Sequence, residues 1–138
     1  MNRRTFLLTT AALSLTLPVA AHAEEVVYSA DLLKSDLAAG KTVLLDFFAP
    51  WCSTCVAQHR VMDKLKAANP AYEAHITFMI VDWDTWGEGE LVKQLQIPRR
   101  STLVVLKGDA ELGRIVADTS EAAIKALLDT AVQAATAA

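Results

Sequence analysis

Hydrophobic and polar positions alternate along this chain with two different periods, and the changes of period mark out its elements. Thr42-Val43-Leu44-Leu45-Asp46-Phe47-Phe48 is an apolar, β-branched and aromatic run of strand length, interrupted only by Asp46. Ala74-His75-Ile76-Thr77-Phe78-Met79-Ile80-Val81-Asp82 is almost continuously apolar after Thr77, as expected of a strand buried on both faces of a parallel pairing. Glu25 to Tyr28 predicts a short strand, Thr102 to Leu106 a longer one, and Glu111 to Val116 its returning hairpin arm across a turn at Lys107 to Ala110.

Between these runs the period becomes helical. Ser29 caps a helix through Leu32, Leu33, Asp36 and Leu37 that Gly40 ends. Cys55 to Ala68 holds neither Gly nor Pro until Asn69-Pro70 stops it, with Val56, Met62, Leu65 and Ala68 on the expected buried side and Arg60, Asp63, Lys64 and Lys66 on the polar side. Trp83 to Gly89 reads as a loop and Glu90 to Leu95 as a short helix. Ile124, Leu127, Leu128, Ala131 and Val132 form the stripe of a last helix capped near Thr119 or Ser120, whose Ala-rich tail is expected to fray. Strands alternating with helices and closed by a hairpin predict an α/β fold, one mixed central sheet with helices on both faces.

A chain of 138 residues with 53% hydrophobic and 21% charged side chains is long and apolar enough for one domain with its own core. Its first residues are of another kind. Arg3-Arg4 precede an uncharged, largely apolar stretch from Thr5 to Ala21, and Ala21-His22-Ala23 is a small-x-small cleavage site before Glu24. Residues 1–23 are therefore expected to be an export signal, twin-arginine-like or of the ordinary secretory kind, and residues 24–138 the mature domain. A stretch of that length containing Pro18 is short for a spanning helix, so no stable membrane insertion is expected after cleavage. Losing Arg3 and Arg4 takes the net charge from −3 to −5; a mildly acidic chain without a basic patch excludes nucleic acid as a partner.

Only two cysteines are present, and they stand three apart in Trp51-Cys52-Ser53-Thr54-Cys55. As a structural staple the pair would close a loop too short to restrain the unfolded chain, so redox chemistry is the better reading. A strand leading into C-x-x-C at the start of a helix sets the first thiol among unpaired backbone N–H groups, which favour a thiolate. Cys52 is then the expected exposed nucleophile, with a lowered pKa, and Cys55, one turn on and more buried, the resolving thiol.

Asp46, Trp51 to Cys55, Val81 to Asp84 and Ser101 to Asp109 together give the region from Val26 onward a pattern that resembles the thioredoxin-like thiol-disulfide oxidoreductases. It is most similar to exported members, such as the thioredoxin-like domain that ends the membrane electron transporter of bacterial periplasms. The resemblance implies a three-layer α/β/α fold, a periplasmic monomer without a bound cofactor or metal, and protein dithiols and disulfides as substrates. It also implies a membrane electron donor if the protein works as a reductase. Asp46 takes the place of the family's buried acid, which moves the proton of the resolving cysteine and whose pKa burial raises. Trp51, Arg100, Ser101 and Thr102 fall where members meet their partner proteins.

Some positions depart from that pattern or admit a second reading. Ser101 occupies the place of the family's cis-proline. A cis bond before Ser costs about 2.5–4 kcal/mol, so Arg100-Ser101 is expected to be trans with the Ser101 hydroxyl donating toward Cys52. A local shift would instead bring Pro98 to the site. Phe78-Met79-Ile80 carries no counterpart of the lysine that some members place near the acid. Asp46 could simply bond a turn or mark a solvent-facing strand position, Trp51 could belong to the core, and Arg99 with Arg100 could be solvated loop charges rather than guides for acidic partners. Asp82 and Asp84 flank Trp83 as loop caps or solvent-facing charges. His59, four residues after Cys55, gives the rival from another class: a periplasmic chaperone binding copper or zinc through Cys52, Cys55 and His59.

Overall fold

The computed structural model describes residues 25–137, so the expected export signal lies outside the described residues. The elements run β1 (Val26–Val27), α1 (Ala30–Ala38), β2 (Thr42–Phe48), α2 (Ser53–Ala68), α3 (Ala71–His75), β3 (Ile76–Asp82), α4 (Trp83–Trp86), α5 (Glu90–Gln94), β4 (Thr102–Lys107), β5 (Ala110–Val116) and α6 (Glu121–Thr136). Five strands form one sheet in the order β1-β3-β2-β4-β5. The first three are mutually parallel, and β4 and β5 join antiparallel, so the sheet is mixed as expected.

Side chains on successive strand positions point to opposite faces, and that period of two sorts the core into two layers. Leu44, Phe78, Leu103 and Val105 pack under Met62 and Leu65 of α2, Tyr72 of α3 and Ile124, Leu127 and Leu128 of α6. Val43, Leu45, Phe47, Met79, Val81 and Val104 face the other way, against Leu33 of α1 and Val92 of α5. Asp46 has the parity of Leu44, and so lies in the row under α2, the helix that carries the cysteines. Its neighbours on the flanking strands are Ile80 and Leu103.

Where the elements differ from expectation, local chemistry explains it. Asn69 caps α2, but Pro70, with its fixed φ, opens a further short helix, so Ala74 and His75 are helical rather than part of the strand. Trp83 to Trp86 is a helical turn instead of a loop, with the Asp82 carboxylate accepting the Thr85 hydroxyl at its start. The α2 stripe is Cys55, Gln58, Met62 and Leu65; Val56 is only partly buried and Ala68 is exposed. Lys66 left the expected polar side: it is 9% exposed, paired with Glu25 (3.0 Å) and Asp63 (3.3 Å), and its ammonium lies 4.8 Å from the centre of the Phe78 ring. The C-terminal alanines remain helical to Thr136, since alanine is the best helix former and Lys107 Nζ donates to the Ala134 carbonyl. No helix among the described residues is long and apolar enough to cross a membrane.

Leu128 is fully buried between α6 and the sheet. Leu128→Ala is expected to destabilise the domain by about 2–5 kcal/mol, read as a lower urea midpoint at unchanged slope. A loss below about 1 kcal/mol would mean that α6 is not a core element.

Candidate active site

At the C-terminal end of β2 the chain leaves the sheet through Ala49-Pro50-Trp51 and enters α2 with Cys52 as its N-cap. The Cys52 sulfur accepts the Cys55 backbone N–H at 3.2 Å, one of the donors that the first turn leaves without an intrahelical partner. Both thiols are free. Cys55 is completely buried, as expected. Cys52 is less open than expected, at 4% exposure: it packs with Ala49 and Cys55, Phe48 and Trp83 lie against that cluster, and the Arg99 to Ser101 loop closes on it through the Ser101 hydroxyl.

Ser101 is the centre of that closure. Its hydroxyl lies 3.1 Å from the sulfur of Cys52 and 3.1 Å from that of Cys55. No peptide bond among the described residues is cis, so Ser101, and not a shifted Pro98, faces the sulfurs in trans geometry. Its φ is +62°, a left-handed conformation that a non-glycine residue keeps only when its surroundings hold it. They do so from both sides: the Ser101 amide donates to Phe47 O (2.8 Å), and its carbonyl accepts Ala117 N (2.8 Å) and Gln58 Nε2 (3.0 Å). Gln58 is fully buried and also donates to Asp118 O at 3.1 Å. Sequence reasoning missed Gln58. Its signal was present in the helical spacing Cys55, Gln58, Met62, which puts a polar side chain on the cysteine face.

Trp51 is 58% exposed, which removes the core alternative. Its indole N–H donates to both oxygens of Asp84 at 3.0 and 2.9 Å, and the Arg100 guanidinium lies 4.4 Å from its ring centre. Trp51 and Arg100 thus form one surface beside Cys52, and Asp84 is an anchor for the indole rather than a free loop charge. Thr102 and Ser101 are not part of that surface. Both are fully buried; the Thr102 hydroxyl donates to Arg99 O at 2.7 Å, holding the loop, while Ser101 faces the sulfurs.

Burial resists ionisation of Cys52, but hydrogen bonds with Cys55, Ser101, the Cys55 backbone and Arg100 outweigh it and bring the thiol down to about 7. Burial pushes the Cys55 thiol up, and the neighbouring Cys52 adds to that rise. The two sulfurs are therefore unlike: one ionises near neutrality, the other holds its proton.

Below them, Asp46 is 2% exposed and raised by burial, an effect that the adjacent His59 partly offsets. Asp46 is thus not a solvent-facing strand residue, and it bonds no turn. His59 Nε2 is in direct ionic contact with Asp46 Oδ2 while its ring stacks on Phe48 with centroids 4.3 Å apart. His59 thus faces Asp46 rather than the sulfurs, and among the described residues no three His, Cys, Asp or Glu side chains gather where a metal could be held. β3 carries no lysine here, and Lys66 of α2, over Phe78, bears electrostatically on Asp46 together with Glu25.

Comparison with known proteins agrees with this geometry. The family model described as Thioredoxin matches residues 23–130. A thioredoxin of Chlamydia trachomatis is 33% identical over 82 residues, 59% of this chain and 74% of that protein. Among solved structures, Trxlp from Edwardsiella tarda is similar with a TM-score of 0.65 at 30% identity, covering 74% of this chain and 97% of its own. A thioredoxin of Malassezia sympodialis shares the fold with a TM-score of 0.65 at 24% identity, over 83% of this chain and 99% of its own.

Ser101→Gly tests the hydroxyl without disturbing the backbone, since glycine accepts positive φ. Removing a hydrogen bond to a charged group is worth roughly 1.5–3 kcal/mol, or about one to two pKa units. The alkylation rate of Cys52 should rise with pH around a midpoint near 7 in the parent protein. That midpoint should move up by roughly one unit or more in the variant; an unmoved midpoint would show that the hydroxyl does not stabilise the thiolate.

Proposed function

The chain belongs to the thioredoxin family and is a thiol-disulfide oxidoreductase; on that premise we propose that it works after export, in the bacterial periplasm, with Cys52 as nucleophile, Cys55 as resolving thiol and Asp46 as proton relay. The observation that carries the assignment of roles is the asymmetry of the two sulfurs. Cys52 caps a helix, touches the Ser101 hydroxyl and ionises near 7, whereas Cys55 is buried deeper with its proton held.

In the reducing direction the Cys52 thiolate attacks one sulfur of a partner's disulfide, forming a mixed disulfide and releasing the other sulfur as a thiolate. Cys55 then loses its proton toward the buried carboxylate and attacks Cys52. The Cys52–Cys55 bond forms, the mixed bond breaks, and two electrons have passed to the partner. Reversal of the same steps oxidises a partner dithiol. A membrane electron donor returns the oxidised pair to the dithiol when the protein runs as a reductase.

The exposed Trp51 with Arg100 against its ring supplies the docking face for the partner polypeptide, and Ser101 and Thr102 shape it from beneath. Export rests on the sequence of the first segment: Arg3-Arg4, the uncharged run, and the small residues before Glu24. The protein acts as a monomer, with no cofactor required by the exchange.

Two measurements test this reading. Cys52→Ser should abolish reduction of a protein disulfide, while Cys55→Ser should accumulate a mixed disulfide visible on a non-reducing gel; turnover that survives in Cys52→Ser would refute the mechanism. The protein recovered from a bacterial periplasmic fraction should begin at Glu24, and retention of Met1 in the cytoplasm would overturn export.

A further inference from the structure

The redox reading uses Asp46 but leaves its partner unexplained. Both Asp46 oxygens are sealed from solvent, and among the described residues their one ionic contact is His59 Nε2. A buried carboxylate that takes a proton in each turnover must also return it to water. His59 stands where that return is open. It follows Cys55 by one turn on the same helix, and its side chain is 18% exposed, so one end of the ring meets Asp46 while the ring as a whole still reaches solvent. Stacking on Phe48 fixes its plane.

We propose that His59 is a positioning residue for the resolving step, setting the charge of Asp46 and exchanging the carboxylate's proton with solvent, so that Asp46 and His59 work as one unit. This deepens the oxidoreductase reading and rests on it. The imidazolium first gives a proton to water; when Cys55 is deprotonated its proton passes to Asp46 and from Asp46 Oδ2 to the vacated Nε2, which restores the imidazolium, and the electron pair left on Cys55 forms the bond to Cys52. The partner's departing thiolate takes its proton from solvent, so the balance closes.

The charged groups around the pair come from three elements. Asp46 sits on β2, Glu25 precedes β1, and α2 contributes His59, Asp63 and Lys66 as well as Cys55; Ile80 and Leu103, beside Asp46 in the sheet, are uncharged. Burial works against a protonated His59, but Asp46, with help from Glu25 and Asp63, outweighs it and holds the imidazole charged above its ordinary range. Burial raises Asp46 in turn, and His59 is the first group that pulls it back. Removing the imidazole cation therefore leaves the carboxyl harder to ionise, which fixes the sign of the expected change.

The experiment mixes the reduced mature protein with an excess of a chromophoric aromatic disulfide and follows two releases of coloured thiolate, the first from attack by Cys52 and the second from resolution by Cys55. His59→Gln keeps an N–H donor toward Asp46 but cannot carry a proton. In this variant the first release should be unchanged. The second should slow roughly tenfold near neutrality, less than the ~10²–10⁴-fold that a positioned general base contributes as a whole, because Asp46 remains. Its rise with pH should also shift upward, and the double variant His59→Gln, Asp46→Asn should resolve no more slowly than Asp46→Asn alone. A second release whose pH profile in His59→Gln matches the parent, or effects of the two substitutions that simply add, would reduce His59 to a structural ion-pair partner. Either result leaves the oxidoreductase reading intact, since that reading fails only if Cys52→Ser still gives the first release.

Discussion

The constraint on which the rest of the structure depends is the helix N-terminus at Cys52. The first turn of any helix leaves donors without partners, and here one of them, the Cys55 backbone N–H, is taken by a sulfur. That single contact fixes the thiol at the mouth of α2, favours its anion and sets Cys55 one turn further inside. The residues around it adjust to this placement. Ser101 lies against the sulfur, and Gln58 from the same helix holds it by its carbonyl.

A serine hydroxyl rather than a proline's pyrrolidine ring at this loop alters the site chemically. A proline in that place offers only carbon to the sulfurs, whereas Ser101 brings a donor within 3.1 Å of each. One hydroxyl has one proton to donate, so it serves the ionised sulfur and accepts from the other. The left-handed backbone of Ser101 is the cost, of order 1–3 kcal/mol, and the hydrogen bonds from Ala117, Gln58 and to Phe47 hold it in place.

Beneath the sulfurs the protein buries charge in a way that follows from strand parity. Asp46 lies in an apolar row because β2 turns every second side chain toward α2, and a carboxylate there needs company. His59 answers it directly, while Lys66 and Glu25 bear on it from the side. Lys66 crosses the face of Phe78 on the strand that could have carried a lysine itself, so the positive charge is kept in the neighbourhood but delivered from a different element.

The sequence by itself determined the order of the five strands and of the helices α1, α2, α5 and α6, the cap at Ser29, the hairpin after Lys107 and the identity of the two reacting sulfurs, because each rests on contacts between residues near in the chain. Periodicity, capping and the C-x-x-C spacing are all local. The resemblance to thioredoxin-like proteins put Ser101 beside Cys52 with a shifted Pro98 as the alternative, and the structure decides for Ser101. Only the tertiary structure decided the rest. In the buried stripe of α2, Met62 and Leu65 are as expected but Cys55 and Gln58 stand in place of Val56 and Ala68, because a helix does not announce which of its faces meets the sheet; Lys66 and Gln58 were buried by partners far along the chain. Trp51 became a surface anchored by Asp84, and His59 became the partner of Asp46, through contacts between elements whose distance in sequence says nothing about their distance in space. Long-range pairing is fixed by how the layers close, and that is a property of the packed whole rather than of any stretch of residues.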